Sequence, residues 1–109
     1  TFIGGISTTR KIAAMVESAG KVFTPHTWTN GIGMVANLHC AAASSRVPYI
    51  EFPYDPPNWT PEARDFLFKE TITIDSEGYV RLPQGPGLGI ELDEEKLARY
   101  EVQDTGRLV

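Results

Sequence analysis

The apolar positions in the first half of the chain follow a helical period. Between Ser7 and Ala19 they recur at a spacing of three to four residues, which predicts an amphipathic helix. Its apolar stripe consists of Ile12, Met15, Val16 and Ala19. Ser7 is the candidate N-cap, and Gly20 is expected to end the helix in the left-handed conformation. A second helical pattern follows at residues 32–43, with Thr29 or Asn30 as its N-cap.

Short apolar runs separate these helices. The runs KVFT, residues 21–24, and YIEF, residues 49–52, are rich in β-branched and aromatic residues and predict buried strands. The opening TFI is typical of the end of another strand. Strands and helices that alternate through short connections predict an α/β fold of right-handed βαβ units on a parallel sheet. Because the chain begins in a strand and without Met, we expect it to be part of a longer protein that completes the sheet.

The pattern changes at residues 53–66, PYDPPNWTPEARDF, where prolines cluster and break regular structure. This break predicts a boundary between residues 1–55 and residues 56–109. Beyond it we expect a short helix from Pro61, a hairpin TITID-SEG-YVRLP with Gly78 in its turn, and a terminal helix capped by Asp93.

Composition and charge narrow the class of protein. The 109 residues, 41% of them hydrophobic, are enough for one domain with a core, and no apolar run approaches the roughly 20 residues that cross a bilayer. The net charge is -4 and the basic residues are scattered, which disfavours nucleic acid as a partner. The single cysteine, Cys40, cannot form an internal disulfide, so we expect a reducing, cytoplasmic compartment.

His26 follows the second predicted strand and opens a polar loop. Imidazole is suited to general acid or base catalysis because its ordinary pKa lies near neutrality. A histidine that only hydrogen-bonds a loop carbonyl is the alternative, and the residues leave both open. The neighbouring Thr24, Trp28 and Thr29 offer hydroxyl and indole groups that suit a polar organic ligand, although a solvated loop with helix caps also explains them.

Glu51 lies inside the run YIEF, where a carboxylate is costly unless it is paired, protonated or used in chemistry. A salt bridge with Arg46 is one explanation. A functional role is the other, because His26 and Glu51 occupy corresponding ends of successive parallel strands, which lie roughly 5 Å apart. On that hypothesis both side chains face one substrate.

Other candidates have structural explanations. His39 lies on the apolar stripe of the second helix and is interpreted as an interior histidine, not as a metal ligand paired with His26. Cys40 has no activating neighbour and is interpreted as packing material. The segment GPGLG lacks the spacing of a nucleotide-binding loop and predicts a turn.

Five segments, taken in chain order, carry a family resemblance. They are GGISTTRKIAAMVESAG, TPH, ANLHCAAA, YIEF and LPQGPGLGIELDEEKLARY. Together they resemble the C-terminal portion of the mandelate racemase/muconate lactonizing enzyme family of the enolase superfamily, over nearly the whole chain. The resemblance implies the last parallel βα units of a modified TIM barrel in residues 1–55. Residues 56–109 would then be the returning tail that packs on or completes an α+β capping domain.

For the chemistry, the resemblance implies an enzyme that uses Mg²⁺ and removes the α-proton of a carboxylate substrate to give a metal-stabilised enolate. His26 matches the family's seventh-strand histidine base. Glu51 matches the eighth-strand glutamate that hydrogen-bonds a substrate carboxylate oxygen. The aspartate that orients the histidine would precede Thr1, and the metal ligands and a lysine base belong to earlier strands. The isolated chain should therefore be inactive without the rest of the barrel or a complementing chain.

The substrate class follows from the loop HTWTN, whose hydrogen-bonding groups favour a sugar acid over an aromatic one. Dehydration of an acid sugar by a cytoplasmic homo-oligomer is the leading hypothesis, with His26 also protonating the departing β-hydroxyl. Racemisation or epimerisation of a 2-hydroxy acid is the alternative. A non-catalytic packing or interaction module is the third reading, because the first strand lacks a neighbour within the chain.

Overall fold

The computed structural model describes residues 3–102, and its regular elements there are four helices. They are α1 (Gly5–Ser18), α2 (Gly31–Ala42), α3 (Pro61–Arg64) and α4 (Glu94–Tyr100). None of the helices in this part of the chain is long and apolar enough to cross a membrane.

Helix α1 begins two residues earlier than predicted. Its N-cap is Gly4, which makes no side-chain hydrogen bond, so the assignment of Ser7 as the cap is wrong. Gly4 and Gly5 have φ values of 115° and 75°. Residues with a Cβ rarely adopt such positive φ values, so the chain turns at the two glycines and the helix starts there.

The end of α1 matches its prediction. Gly20 has φ 65°, in the left-handed region. The N–H of Lys21 donates to the carbonyl of Val16 at 3.0 Å, and the N–H of Gly20 donates to the carbonyl of Glu17 at 2.9 Å. These two bonds form a Schellman motif, which satisfies carbonyls that the last helical turn leaves open.

The buried face of α1 differs from the predicted stripe. Thr9 and Ala13 are buried, whereas Met15 is 71% exposed. Helix α1 contacts α2, and small residues four positions apart allow such an approach. Beyond the end of α2, Ser44 Oγ and the Ser45 N–H donate to Glu17 Oε1 at 2.9 and 2.7 Å. The two helices therefore end side by side, as two consecutive βα units require.

The predicted strands at residues 21–24 and 49–52 are not strands in the structure. Residues 21–24 and 49–52 join no ladder, and the β-bridges within residues 3–102 are three isolated antiparallel pairs. Val22 is 65% exposed, so KVFT is not the buried strand that its composition predicts. A strand of a sheet is paired with at least one neighbouring strand, and the described residues supply none for these two segments. The first predicted strand, TFI, falls largely outside the described residues.

The core lies between α2 and the second half of the chain. Met34 and Val35 of α2 form a buried cluster with Phe68. The half-buried side chains that pack against it are Phe52, Leu67, Ile72, Leu88 and Ile90. Residues on both sides of position 55 therefore share one core, and the division into 1–55 and 56–109 stays a prediction.

The hairpin of the tail forms its turn but not a ladder. Ile74 and Val80 make an isolated bridge, and the N–H of Asp75 donates to the carbonyl of Tyr79 at 2.9 Å. Gly78 has φ 87°, the positive value that the turn was expected to need.

The caps of the remaining helices follow the sequence signals. Asn30 Oδ1 accepts the Gly33 N–H at 3.1 Å at the start of α2, which selects Asn30 from its two candidates. Asp93 Oδ1 accepts the N–H groups of Glu95 and Lys96, both at 3.1 Å, at the start of α4. The Lys96 N–H bond is the main reason that the pKa of Asp93 is lowered.

A histidine and carboxylate pair as the candidate active site

The structure brings His26 and Glu51 into contact. Nδ1 of His26 lies 2.9 Å from Oε2 of Glu51. The backbone N–H of Thr27 donates to the same carboxylate oxygen. Arg46, the alternative partner of Glu51, makes no ion pair with it. The two side chains predicted to face one substrate are thus adjacent, while their catalytic roles stay a prediction.

This contact orients the imidazole. When Nδ1–H donates to the carboxylate, Nε2 is the ring atom that keeps a free lone pair. The side chain of His26 is 75% exposed and that of Glu51 is 34% exposed, so the pair opens to solvent. An imidazole held in this way can accept and return a proton at Nε2. Oε1 of Glu51 makes no hydrogen bond to any residue that the structure describes, so it is an acceptor without a partner there.

Thr27 anchors the loop from its inner side. Its side chain is buried, and its Oγ1 donates to the carbonyl of Pro25 at 3.0 Å. Nδ2 of Asn37, in α2, donates to the carbonyl of His26 at 3.0 Å and to Thr27 Oγ1 at 3.4 Å. The neighbours of Thr27 in sequence, His26 and Trp28, both have exposed side chains.

Trp28 stacks on a second indole, that of Trp59. The ring centroids are 6.4 Å apart and the planes differ by 17°. Trp59 is held by two backbone bonds to Asp55, in which each N–H donates to the other residue's carbonyl at 2.7 and 2.9 Å. Its Nε1 is buried and has no hydrogen-bond partner among residues 3–102.

The two threonines predicted to bind substrate flank the pair without touching it. Thr24 is exposed, and Thr29 is half-buried with its N–H donating to the Thr27 carbonyl at 2.8 Å. Neither makes a hydrogen bond to His26 or Glu51. Their substrate-binding roles stay predictions.

A buried ion pair lies behind the site. Nε and Nη2 of Arg64 donate to Oδ1 and Oδ2 of Asp65 at 2.7 and 2.6 Å, and both side chains are fully buried. The guanidinium of Arg64 lies 4.4 Å from the ring centroid of Phe52, the residue after Glu51. Asp65 Oδ2 also accepts the N–H of Ile72 at 2.9 Å. The tail is thereby tied to the segment that carries Glu51.

Sequence reasoning missed four of these residues. Asn37, Trp59 and the Arg64–Asp65 pair were not singled out as parts of a site. The available signals were a carboxamide among the buried positions of α2 and two adjacent opposite charges in the apolar run ARDFLF. Both patterns are also common on solvated surfaces, so only their burial in the structure distinguishes these residues from ordinary surface residues.

The contacts of His39, Cys40 and the segment GPGLG agree with the structural roles predicted for them. Nε2 of His39 lies 3.0 Å from the carbonyl of Leu88, so this half-buried histidine has a partner in the tail. Burial raises the pKa of the Cys40 thiol, which favours its unreactive protonated form. In GPGLG, the N–H of Gly89 donates to the carbonyl of Pro86 at 3.0 Å, which closes the predicted turn.

The described residues do not fit a magnesium site. Within residues 3–102, no three His, Cys, Asp or Glu side chains lie close enough together to hold a metal ion. Mg²⁺ prefers an octahedral set of oxygen ligands. Near the candidate site the carboxylate of Glu51 is already paired with His26.

Comparison with known proteins shows the class to which the chain belongs. Residues 1–96 match the family described as Enolase C-terminal domain-like. Arabinonate dehydratase from Saccharolobus solfataricus is 37% identical over 98 residues, which cover 90% of this chain and 25% of that protein. D-galactarolactone cycloisomerase from Agrobacterium fabrum is 30% identical over 105 residues, which cover 93% of this chain and 28% of that protein.

A solved structure agrees with these matches. A mandelate racemase/muconate lactonizing enzyme from Sulfitobacter sp. superposes with a TM-score of 0.70 at 35% identity, over 88% of this chain and 22% of that one. The fold class is therefore α/β of the TIM-barrel type. The chain belongs to the mandelate racemase/muconate lactonizing enzyme family of the enolase superfamily. It spans about a quarter of the length of the curated relatives it matches.

Proposed function

We propose that this chain forms one side of the active site of an acid-sugar dehydratase and that His26 is its proton-transfer residue. The observation that carries the proposal is the 2.9 Å contact between His26 Nδ1 and Glu51 Oε2, because it leaves Nε2 open to a substrate. Two relatives named for arabinonate and for D-galactarolactone support a substrate derived from a sugar acid.

In this mechanism Nε2 of His26 takes the α-proton of the sugar acid, and the electron pair of that C–H bond moves into an enolate. The resulting imidazolium is stabilised by Glu51 and returns the proton to the β-hydroxyl. The C–O bond breaks, and the sugar acid has lost one water. Glu51 would hold a substrate carboxylate oxygen through Oε1 when that oxygen carries a proton, because only a protonated carboxyl can donate a hydrogen bond.

The same proposal includes the metal, the rest of the barrel, the oligomeric state and the compartment. We expect a requirement for Mg²⁺ from the family resemblance, with ligands that come from outside this chain. The remaining barrel strands, or a complementing chain carrying them, would complete the site. A cytoplasmic homo-oligomer is the expected form, and the 109-residue chain alone should be inactive.

The test uses the complete protein with Mg²⁺ and a library of acid sugars, with keto-acid formation as the readout. We expect His26→Asn to lower kcat by about 10²–10⁴-fold, the usual contribution of a general acid or base. His39→Asn is the matched control, because it removes the chain's other histidine outside the site. Turnover that survives His26→Asn would contradict the assigned role.

Racemisation or epimerisation of a 2-hydroxy acid is the second candidate. The geometry that favours it is the same open Nε2, which can return the proton to the α-carbon instead of the β-hydroxyl, and one relative is named as an isomerase. Deuterium incorporation at the α-carbon in D₂O without keto acid would select this reaction. A complete protein that neither exchanges the α-proton nor turns over any acid would favour the non-catalytic module.

A further inference from the structure

We propose that the stacked indoles of Trp28 and Trp59 form a substrate-facing wall, and that Trp59 is a specificity-determining residue for the carbon chain of the substrate. This inference rests on the proposed function and extends it. Trp59 lies in the proline-rich segment, far along the sequence from His26, and enters the site through its stack with Trp28.

The wall begins two residues after the proton-transfer group. Thr27, between them, is fully buried, whereas the His26 side chain is 75% exposed and Trp28 is 47% exposed. The two exposed side chains thus lie on either side of one buried residue. A substrate whose α-carbon faces His26 would therefore extend its remaining carbons towards Trp28.

Trp59 makes this surface rigid. Its backbone N–H and carbonyl are both bonded to Asp55, which closes a tight loop, and its ring is half-buried. The near-parallel stack then limits the rotamers open to Trp28. A wall that is already ordered before binding loses little conformational entropy when a ligand covers it.

The chemistry of the wall fits the substrate class. A sugar acid has a charged carboxylate at one end and C–H faces along its carbon chain. Indole rings bury such C–H surface without requiring a hydrogen bond. The His26 and Glu51 pair supplies the polar end of the site, and the two indoles supply the apolar end.

The experiment compares acids of different length in the complete protein. We expect Trp59→Ala to raise KM by roughly tenfold for five- and six-carbon acid sugars while kcat changes by less than about twofold, because stacking that is equal in ground and transition states affects KM alone. KM for a three-carbon 2-hydroxy acid, too short to reach the wall, should not change. Trp59→Phe keeps an aromatic face and should retain KM within about threefold of the original value.

The matched control is Tyr79→Ala, which removes an exposed aromatic ring that lies over Arg81 in the hairpin. It should leave KM unchanged for every acid. A rise in KM that is the same for short and long acids would overturn the proposal, because a purely structural role predicts no dependence on length. Equal KM values for Trp59→Ala and the original protein would overturn it as well.

Equilibrium binding measurements test the role of the wall independently of the proposed reaction. Acid sugars are titrated into His26→Asn protein by calorimetry, with and without Trp59→Ala. If the original protein turns over no acid sugar, the proposed function fails, yet weaker binding of long acids alone in the Trp59→Ala variant supports the wall. Binding that does not depend on Trp59, or no binding of any acid, would overturn it.

Discussion

Two regions of this chain differ in how far their residues are buried and paired. The segments that carry the candidate site, residues 21–30 and 47–53, lie outside the helices, join no β-ladder and are exposed at His26. The region where the tail meets α2 contains the fully buried Arg64–Asp65 pair and the cluster around Phe68. The candidate catalytic groups thus lie where polar groups stay open, and the packing that holds the chain together lies elsewhere.

The two regions meet behind Glu51. The Phe52 ring lies against the Arg64 guanidinium, and the start of α2 at Gly31 packs on Asp65 and Phe68. The tail therefore supports the site segments from behind without contributing a group to the His26 and Glu51 contact. Substitutions in the tail should affect stability strongly, and substitutions at the site should affect it weakly.

The largest effect is expected from Arg64→Ala. It leaves the carboxylate of Asp65 buried without its partner, and breaking a buried pair in this way costs about 3–5 kcal/mol in the free energy of unfolding. Urea denaturation of the complete protein measures it. Arg99→Ala, at an exposed position of α4, is the control and should change stability by less than about 0.5 kcal/mol. Equal effects of the two variants would contradict a supporting role for the buried pair.

A smaller loss is expected from Gly31→Ala. A Cβ at this position would clash with Asp65 Oδ1 and lie 2.8 Å from the Phe68 ring. Overpacking of this kind destabilises by about 1–3 kcal/mol. An unchanged denaturation midpoint would show that the tail can move away from α2 at little cost, which would weaken the contrast between the regions.

The N-cap of α2 should contribute less to the stability of the fold than the buried pair or the packing at Gly31. Asn30→Ala removes the bond to the Gly33 N–H and is expected to cost about 1 kcal/mol. Asn30→Asp keeps an acceptor at the same place and is the control. If both variants lost the same stability in thermal unfolding, the loss in Asn30→Ala could not be attributed to the missing cap hydrogen bond.

Glu17→Gln tests the junction between α1 and α2 through pH. The Ser45 N–H and the Ser44 hydroxyl lower the folded pKa of Glu17 below its ordinary 4.5. The charged form therefore stabilises the fold above pH 4.5, and this contribution is lost as the pH falls through the lowered folded pKa. We expect the original protein to be slightly more stable than the variant near pH 7 and the difference to shrink below pH 4.5. A stability difference that stays the same at pH 7 and below pH 4.5 would contradict this role of Glu17.

The smallest effect on stability is expected from His26→Asn. Because the imidazole is 75% exposed, its loss should change the free energy of unfolding by less than about 0.5 kcal/mol, even though we propose that it abolishes most activity. Calorimetry of both proteins checks this. A large loss of stability would mean that His26 holds the loop, and the contrast between the two regions would fail.

Local signals predicted several helix ends, because a cap depends on residues within one turn. Asp93 and Gly20 were predicted from sequence and occupy those positions in the structure, and Asn30 was one of two caps predicted for α2. Ser7 failed because two glycines just before it allow the turn to occur sooner. The segments 21–24 and 49–52, which were predicted to be strands, join no ladder, since pairing depends on neighbours that a single segment does not contain.

The sequence by itself determined the family, the α/β class and the two candidate groups His26 and Glu51, because each of these is carried by residue types in a linear order. Only the tertiary structure decided that His26 Nδ1 meets Glu51, that Trp59 stacks on Trp28 and that Arg64 and Asp65 are buried. Those contacts depend on how α2 and the tail fold around the loop, and whether a charge or an indole is buried is decided by residues distant from it in sequence.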